Sequence, residues 1–418
     1  MKIRVLKSNI SIQNFKLKIS GSKSETNRLL LLQALYPEIE IENTSNSDDS
    51  DVMQKAIQQS KIENQQSTII DVHHAGTAMR FLTAYFAQKE NSEVIITGSS
   101  RMKERPISIL VNALNELGAD ISYVENEGFP PLKIIGKKLQ KNKVTLPANI
   151  SSQYISALLL IAPKLENGIE LTLEGDITSL PYIEMTLGLL DEIGIKTSFV
   201  GNKIVVTQKS KIVNPKSTIE SDWSSASYWY SIIALSDIGT SITLSYFKKN
   251  SLQGDSVLVE IYKEFGVETI FNNDNSITIS KVSNCQLKTV NCELNKTPDI
   301  AQTIAVTCLG LGIHCELSGL HTLKIKETDR LLALKTELEK FGAEVSITEN
   351  SLSFISSSLE GFEEVCINTY QDHRMAMAFA PLATKIPIVI NNAEVVTKSY
   401  PNFWNDLKLA GLSIEENN

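Results

Sequence analysis

Arginine is scarce in this chain. Of its 40 basic residues only Arg4, Arg28, Arg80, Arg101, Arg105, Arg330 and Arg374 are arginine; the rest are lysine. A sequence that uses lysine wherever any cation serves retains arginine where lysine cannot substitute. A planar fork gripping carboxylate or phosphate through two parallel hydrogen bonds is such a place. Long apolar runs are missing too, which argues against a membrane-spanning helix. The opening stretch alternates like a strand and lacks the apolar centre of a signal peptide, so a cytoplasmic protein is expected. Five cysteines occur (Cys285, Cys292, Cys308, Cys315 and Cys366) without a CxxC pair or a zinc-like spacing. They are expected to be buried free thiols in a reducing compartment, and neither a metal nor a cofactor is expected. Positive charge is not in excess: 48 acidic residues outweigh 40 basic ones, for a net −8. That excludes a generally basic surface for nucleic acid, so an anionic ligand must be held by a local cluster of cations.

What is present is a pattern that recurs. An amphipathic helix ends at a glycine and a short alternating strand follows, as in LVNALNELGADISYV, MTLGLLDEIGIKTSFV, LVEIYKEFGVETIF and LLALKTELEKFGAEVSI, with a weaker copy in FWNDLKLAGLSIEE. The glycines are Gly118, Gly194, Gly266, Gly342 and Gly411, spaced 69 to 76 residues apart. Glycine ends a helix in the left-handed conformation without steric cost, so the strand can return along it. A possible first copy, DVMQKAIQQSKIE, lacks the glycine. Six such units would fill the chain, and an internally repeated α/β architecture is expected. The best boundary is KIVNPKSTIESDWSSASYW, near residues 211–229, between the third and fourth copies.

Six of the seven arginines lie in short polar segments: GSKSETNR (21–28), HAGTAMR (74–80), RMKERP (101–106), KETDR (326–330) and QDHRMAM (371–377). GSKSETNR stands before an apolar run, where Gly21, Ser22 and Ser24 offer donors at a helix start and Lys23 and Arg28 add charge. Gly76 lets a ligand approach the backbone. SSQY (151–154) and TSLPY (178–182) offer hydroxyls and an amide, although each alone reads equally as a turn or cap. Lys326, Glu327 and Arg330 open one helix; Asp372, His373 and Arg374 precede another. Such a collection suits one or two ligands with several negative charges.

Taken in order, GSKSETNR, AGTAMR, RMKERP, SSQY, SLPY, PDIAQT, KETDR and DHRMAM resemble the motifs of the 5-enolpyruvylshikimate-3-phosphate (EPSP) synthase family along nearly the whole chain. The resemblance implies an α/β, two-domain enolpyruvyl transferase fold of six βαβαββ units, three per domain. One domain would span 21–219, on the shikimate 3-phosphate side. The other, on the phosphoenolpyruvate side, would combine 1–20 with 220–418, and the active site would lie in the cleft. It further implies transfer of the enolpyruvyl group of phosphoenolpyruvate to the 5-hydroxyl of shikimate 3-phosphate by addition and elimination, with no cofactor, as a monomer.

Carried over by motif, shikimate 3-phosphate meets Lys23, Ser24, Arg28, Ser151, Ser152, Gln153, Ser179, Tyr182, Asp299 and Lys326. Phosphoenolpyruvate meets Lys23, Gly76, Arg105, Gln153, Arg330, Arg374 and Lys398. Asp299 is the expected base for the hydroxyl and Glu327 the acid and base at the methyl carbon. Lys23 assists proton transfer, and His373 orients or protonates. Arg80 and Arg101 are expected to support the site from behind. Three positions depart from the family pattern: His74 for asparagine, Phe81 for proline and Thr322 for asparagine. Phe81 is expected to shift the helix carrying Gly76 and Thr77, and with it sensitivity to glyphosate, the family's inhibitor. Two rival readings remain. The related transferase acting on UDP-N-acetylglucosamine carries a cysteine or aspartate in a loop over the site, where TGSSRMKERPISIL has no cysteine. A non-catalytic binding protein on the same fold would have lost the acid and base residues that are retained here.

Overall fold

All five repeat glycines adopt a left-handed backbone, with φ of 108° at Gly118, 83° at Gly194, 78° at Gly266, 75° at Gly342 and 94° at Gly411. A side chain there would cost about 1–2 kcal/mol, so glycine is the residue that lets each helix turn back into its strand. The computed structural model describes every residue except 9–14, 60–67, 150, 176, 357 and 418. The end of DVMQKAIQQSKIE falls among residues 60–67, outside the described residues.

The chain divides into two units, one of residues 21–219 and one combining 1–20 with 220–418. In the first, strands Thr68–Asp71 and Glu93–Thr97 pair in parallel around helix Gly76–Gln88. After helix Ser108–Glu116 the hairpin Asp120–Tyr123 and Leu132–Ile135 returns antiparallel to the second strand. The next repeat copies this with Lys143–Pro147, Ile169–Glu174, Thr197–Val200 and Lys203–Val206. Here the first of the four strands pairs with the second, and the last lies between the second and the third. A reduced sheet of two parallel strands, Glu40–Glu42 with Lys216–Thr218, completes the unit.

The other unit holds three four-stranded sheets with the same internal order. Two of them depend on the start of the chain. Phe15–Leu17 pairs in parallel with Ser241–Ser245. Lys2–Val5 lies antiparallel between Ile388–Asn391 and Ile414–Asn417. Six sheets, three per unit, are thus found among the described residues; five are four-stranded with the βαβαββ arrangement and one is reduced to two strands. The first helix of each repeat lies in the core. Lys23–Leu35, Gly76–Gln88 and Ser152–Ile161 pack on one another in one unit, as Trp223–Leu235, Ala301–Leu311 and His373–Phe379 pack together in the other. These helices are buried on most faces, so their sequences show little amphipathic striping. Small hydroxyls let them approach closely: Ser227 pairs with Thr303 at 3.0 Å and Thr307 donates to Ser231 at 2.8 Å.

The cysteines are all free, as expected, but only Cys308 and Cys315 are buried; Cys366 is exposed on the edge strand Val365–Ile367. Strand alternation turns its side chain outward, a detail of register that composition does not carry.

Candidate active site

The candidate residues gather where the central helices begin, and the two units dress those beginnings differently. In unit 21–219, Ser22 caps helix Lys23–Leu35 by accepting from Glu25 N, and Ser151 caps Ser152–Ile161 by accepting from Gln153 N. Helix Gly76–Gln88 follows Ala75 and has no side-chain cap. Its first N–H groups and partial positive charge are those of an anion-binding helix start. Gln153 Nε2 donates to Thr77 Oγ1 at 3.1 Å, which ties two of these starts together. The Arg105 guanidinium stands directly against Gly76: a Cβ there would lie 2.5 Å from Arg105 Nη1 and displace it. Lys23 pairs with Asp49 at 3.5 Å, a partner that lay in the acidic run SNSDDSD without being singled out.

Arg28 and Arg80 are buried, and neither has a carboxylate within ion-pair distance among the described residues. Arg28 donates through Nε to Thr186 at 2.8 Å, through Nη1 to the carbonyl of Ser24 at 2.9 Å, and through Nη2 to Ser156 and the carbonyl of Tyr182, each at 3.1 Å. Its guanidinium also lies over the rings of Phe81 and Tyr182, at 5.5 and 5.9 Å. Phe81, the departure from the family's proline, therefore serves as an aromatic face for a buried cation. Burial lowers Arg28 to about 10, still well above neutral pH, so the charge is held in the core. Arg80 donates to the carbonyls of Gly76 and Pro106 at 3.2 and 3.1 Å. It is lowered to about 10 by burial and then by the neighbouring charge of Arg105. Arg105 donates its backbone N–H to the carbonyl of Met102 at 3.1 Å, and its side chain makes no hydrogen bond or ion pair among the described residues. Arg101 is exposed and pairs with Glu104 at 3.0 Å, on the surface. Ser179 holds a left-handed conformation (φ 54°) at the start of helix Leu180–Glu192, whose Tyr182 carbonyl is bound by Arg28. His74 Nδ1 lies 2.9 Å from Ser99 Oγ.

The other unit fills its helix starts with its own carboxylates. Asp222 caps Trp223–Leu235, Asp372 caps His373–Phe379 and Asp329 caps Arg330–Glu339. Asp299 stands one turn ahead of Ala301–Leu311. Arg330 binds three of these acids: Asp372 at 2.7 Å, Asp299 at 2.9 Å and Glu327 at 2.9 Å. Burial acts to lower its pKa, but Asp372, Glu327 and Asp299 outweigh it and raise the value further. Arg374 reaches Asp299 Oδ2 at 3.2 Å and its carbonyl at 3.0 Å, and Lys326 stands 3.5 Å from Oδ1. Asp299 is therefore surrounded by three cations, and Glu327 shares one of them. His373 is buried beside Asp372, with Nδ1 3.9 Å from that carboxylate. Lys398 donates to the carbonyl of Gln371 at 2.7 Å.

Two acids here escaped sequence reasoning. Asp372 was noticed within QDHRMAM, but not as the clamp on Arg330. Asp255, in the short helix Gly254–Val257, accepts from Ser224 Oγ, which itself receives Arg374 Nη2 at 3.4 Å. Burial, then the charge of Asp299, raises Asp255 to about 6. Nothing in NSLQGDSV distinguishes it from a turn.

Comparison with known proteins identifies the family. The model of the family described as EPSP synthase (3-phosphoshikimate 1-carboxyvinyltransferase) matches residues 8–407. A 3-phosphoshikimate 1-carboxyvinyltransferase of Bacteroides fragilis is 44% identical over 404 residues, 96% of each chain. That of Haemophilus influenzae is 36% identical, covering 96% of this chain and 97% of its own. The solved EPSP synthase of Acinetobacter baumannii covers both chains fully with a TM-score of 0.78 at 22% identity, a likeness of fold. The chain belongs to the EPSP synthase family.

Proposed function

We propose that this chain transfers the enolpyruvyl group of phosphoenolpyruvate to the 5-hydroxyl of shikimate 3-phosphate, releasing phosphate, as a step of the shikimate pathway toward chorismate and the aromatic amino acids. The observation that carries the chemical part of this reading is Arg330, which joins Asp299 and Glu327 on one guanidinium. An addition followed by an elimination needs two acid–base groups beside one another and cations for a leaving phosphate.

In the first step Asp299 takes the proton of the 5-hydroxyl as its oxygen bonds to C2 of phosphoenolpyruvate, and Glu327 delivers a proton to C3, making a methyl group. In the second, Glu327 removes a methyl proton, the C2–O bond to phosphate breaks and the double bond re-forms. Arg105, Arg330, Arg374 and Lys398 hold the phosphate and carboxylate of phosphoenolpyruvate, with Lys23, Gly76 and Gln153 beside them. Lys23, Ser24, Arg28, Ser151, Ser152, Gln153, Ser179, Tyr182 and Lys326 hold shikimate 3-phosphate. His373, buried beside Asp372, orients or protonates the reacting groups. The anions compete for the cations that surround Asp299, and each one bound by Lys326 or Arg374 leaves the base freer to accept a proton.

The enzyme is read as a cytoplasmic monomer acting on small molecules without nucleic acid or membrane. The acidic balance supports that, and among the described residues no helix is long and apolar enough to cross a membrane. Phosphate release from purified protein given phosphoenolpyruvate with shikimate 3-phosphate, and separately with UDP-N-acetylglucosamine, tests the reading. Release with shikimate 3-phosphate alone is expected. Release only with the nucleotide sugar moves the chain to the related transferase, and no release with either from folded protein leaves a binding protein.

A further inference from the structure

Immediately before Asp372, His373 and Arg374 the backbone does something two ordinary residues rarely do in succession. Tyr370 and Gln371 are both left-handed, with φ of 53° and 58°. Neither is glycine, and such a pair persists only where the surroundings over-determine it. The surroundings here are specific. Tyr370 Oη donates to Glu337 Oε1 at 2.6 Å, and Asn368 N donates to Glu337 Oε2 at 3.2 Å. Lys340 Nζ lies 2.5 Å from that same Oε2. Glu337 is fully buried and projects from the helix Arg330–Glu339, which begins with Arg330. Its carboxylate therefore fastens the strained turn to the element that carries the arginine bound by Asp372.

The consequence of the turn is visible on the other side. Gln371 presents its carbonyl to Lys398 Nζ at 2.7 Å, and the next residue, Asp372, meets Arg330 at 2.7 Å. A residue at 371 with the usual negative φ would turn the adjoining peptide planes away from these positions.

We propose that Glu337 and Tyr370 are positioning residues: they hold Gln371 left-handed so that its carbonyl fixes the ammonium of Lys398 for the phosphate of phosphoenolpyruvate. The proposal rests on the reaction assigned above and deepens it. Glu337 and Tyr370 act through the backbone of Gln371 and need not touch substrate. Their loss therefore moves the handling of phosphoenolpyruvate and spares that of shikimate 3-phosphate.

The test is steady-state kinetics of phosphate release with each substrate varied, on wild type, Tyr370→Phe, Gln371→Gly, Gln371→Val and the double variant Tyr370→Phe/Lys398→Ala, each checked for its melting temperature. Turnover by wild type establishes the reaction independently; its failure would overturn that reading and leave the variants without a baseline. With wild type active, Tyr370→Phe is expected to lower kcat/KM for phosphoenolpyruvate by about 10-fold or more while KM for shikimate 3-phosphate stays within about twofold. Gln371→Gly, which adopts the left-handed turn freely, is expected to exceed Gln371→Val by at least about 10-fold. In the Lys398→Ala background Tyr370→Phe is expected to add little further loss, since both act at one point. Tyr370→Phe with native constants for both substrates, or Gln371→Val equal to Gln371→Gly, would overturn the clamp. So would a lowered melting temperature accompanied by equal losses for both substrates, which is the mark of a merely structural role.

Discussion

Two units built on one plan treat charge in opposite ways. In residues 21–219 the buried arginines have hydroxyls, carbonyls and aromatic faces as neighbours, and the side-chain caps of the central helices are serines. In the other unit the helix starts hold Asp222, Asp299 and Asp372, and buried Arg330 is bound by three carboxylates. The first arrangement leaves buried positive charge without a carboxylate among the described residues; the second answers it internally and thereby places acidic and basic side chains side by side. A shared fold supplies helix starts in both, and the residues one turn around each start decide whether it receives an anion or holds an acid.

Removing one proton carrier or one anchor should break this division most severely. Glu327→Ala and Lys23→Ala are each expected to lower kcat for phosphate release by about 10²–10⁴-fold, measured with both substrates saturating. Retained turnover in Glu327→Ala would remove it from the acid–base role.

Next in size is the contrast between buried Arg28 and buried Arg330. Arg330→Ala takes a buried guanidinium from three carboxylates, of which Asp299 keeps Arg374 and Lys326, and is expected to cost about 3–5 kcal/mol in urea unfolding. Arg28→Met discards a buried charge that has no carboxylate partner, and its acceptors Ser156 and Thr186 still bond one another at 2.9 Å. It is expected to cost less than about 1.5 kcal/mol while raising KM for shikimate 3-phosphate. Equal losses would mean that the two units do not differ in how they compensate charge.

A smaller effect follows from Asp255, which faces Asp299, Arg374 and Asp222. Its folded pKa of about 6 lies above the ordinary 3.8, so the folded state binds the extra proton between those values. Its contribution to stability is present below about pH 4 and is lost as pH rises through 6. Asp255→Asn is therefore expected to stabilise the protein by up to about 3 kcal/mol at pH 7.5, and by much less at pH 4. A gain independent of pH would show that packing, not charge, is responsible.

The least disruptive change is Phe81→Leu, which removes the ring under Arg28. An effect of about 0.5–1 kcal/mol is expected, seen as a two- to fivefold rise in KM for shikimate 3-phosphate. An unchanged constant would leave Phe81 as filling alone.

Local physics wrote much of this protein legibly. A helix period followed by glycine marks a stop that depends on a few neighbouring residues, and all five repeat glycines proved left-handed. Scarcity made arginine informative, because only the fork geometry explains its retention. Those signals, with the motif order, were enough for the repeated α/β fold, the family and the residues to examine. Tertiary structure alone decided which of them meet. Lys23 with Asp49, Gln153 with Thr77, Arg330 with Asp372, and the strand Lys2–Val5 between two strands from the far end of the chain are pairings across 26 to more than 400 positions. Tertiary structure also separated Arg28, held without a carboxylate, from Arg330, held by three, although both follow a lysine in a short polar motif. A side chain's charge is written in its identity, but its desolvation and its partner are set by whichever distant segment the fold brings against it.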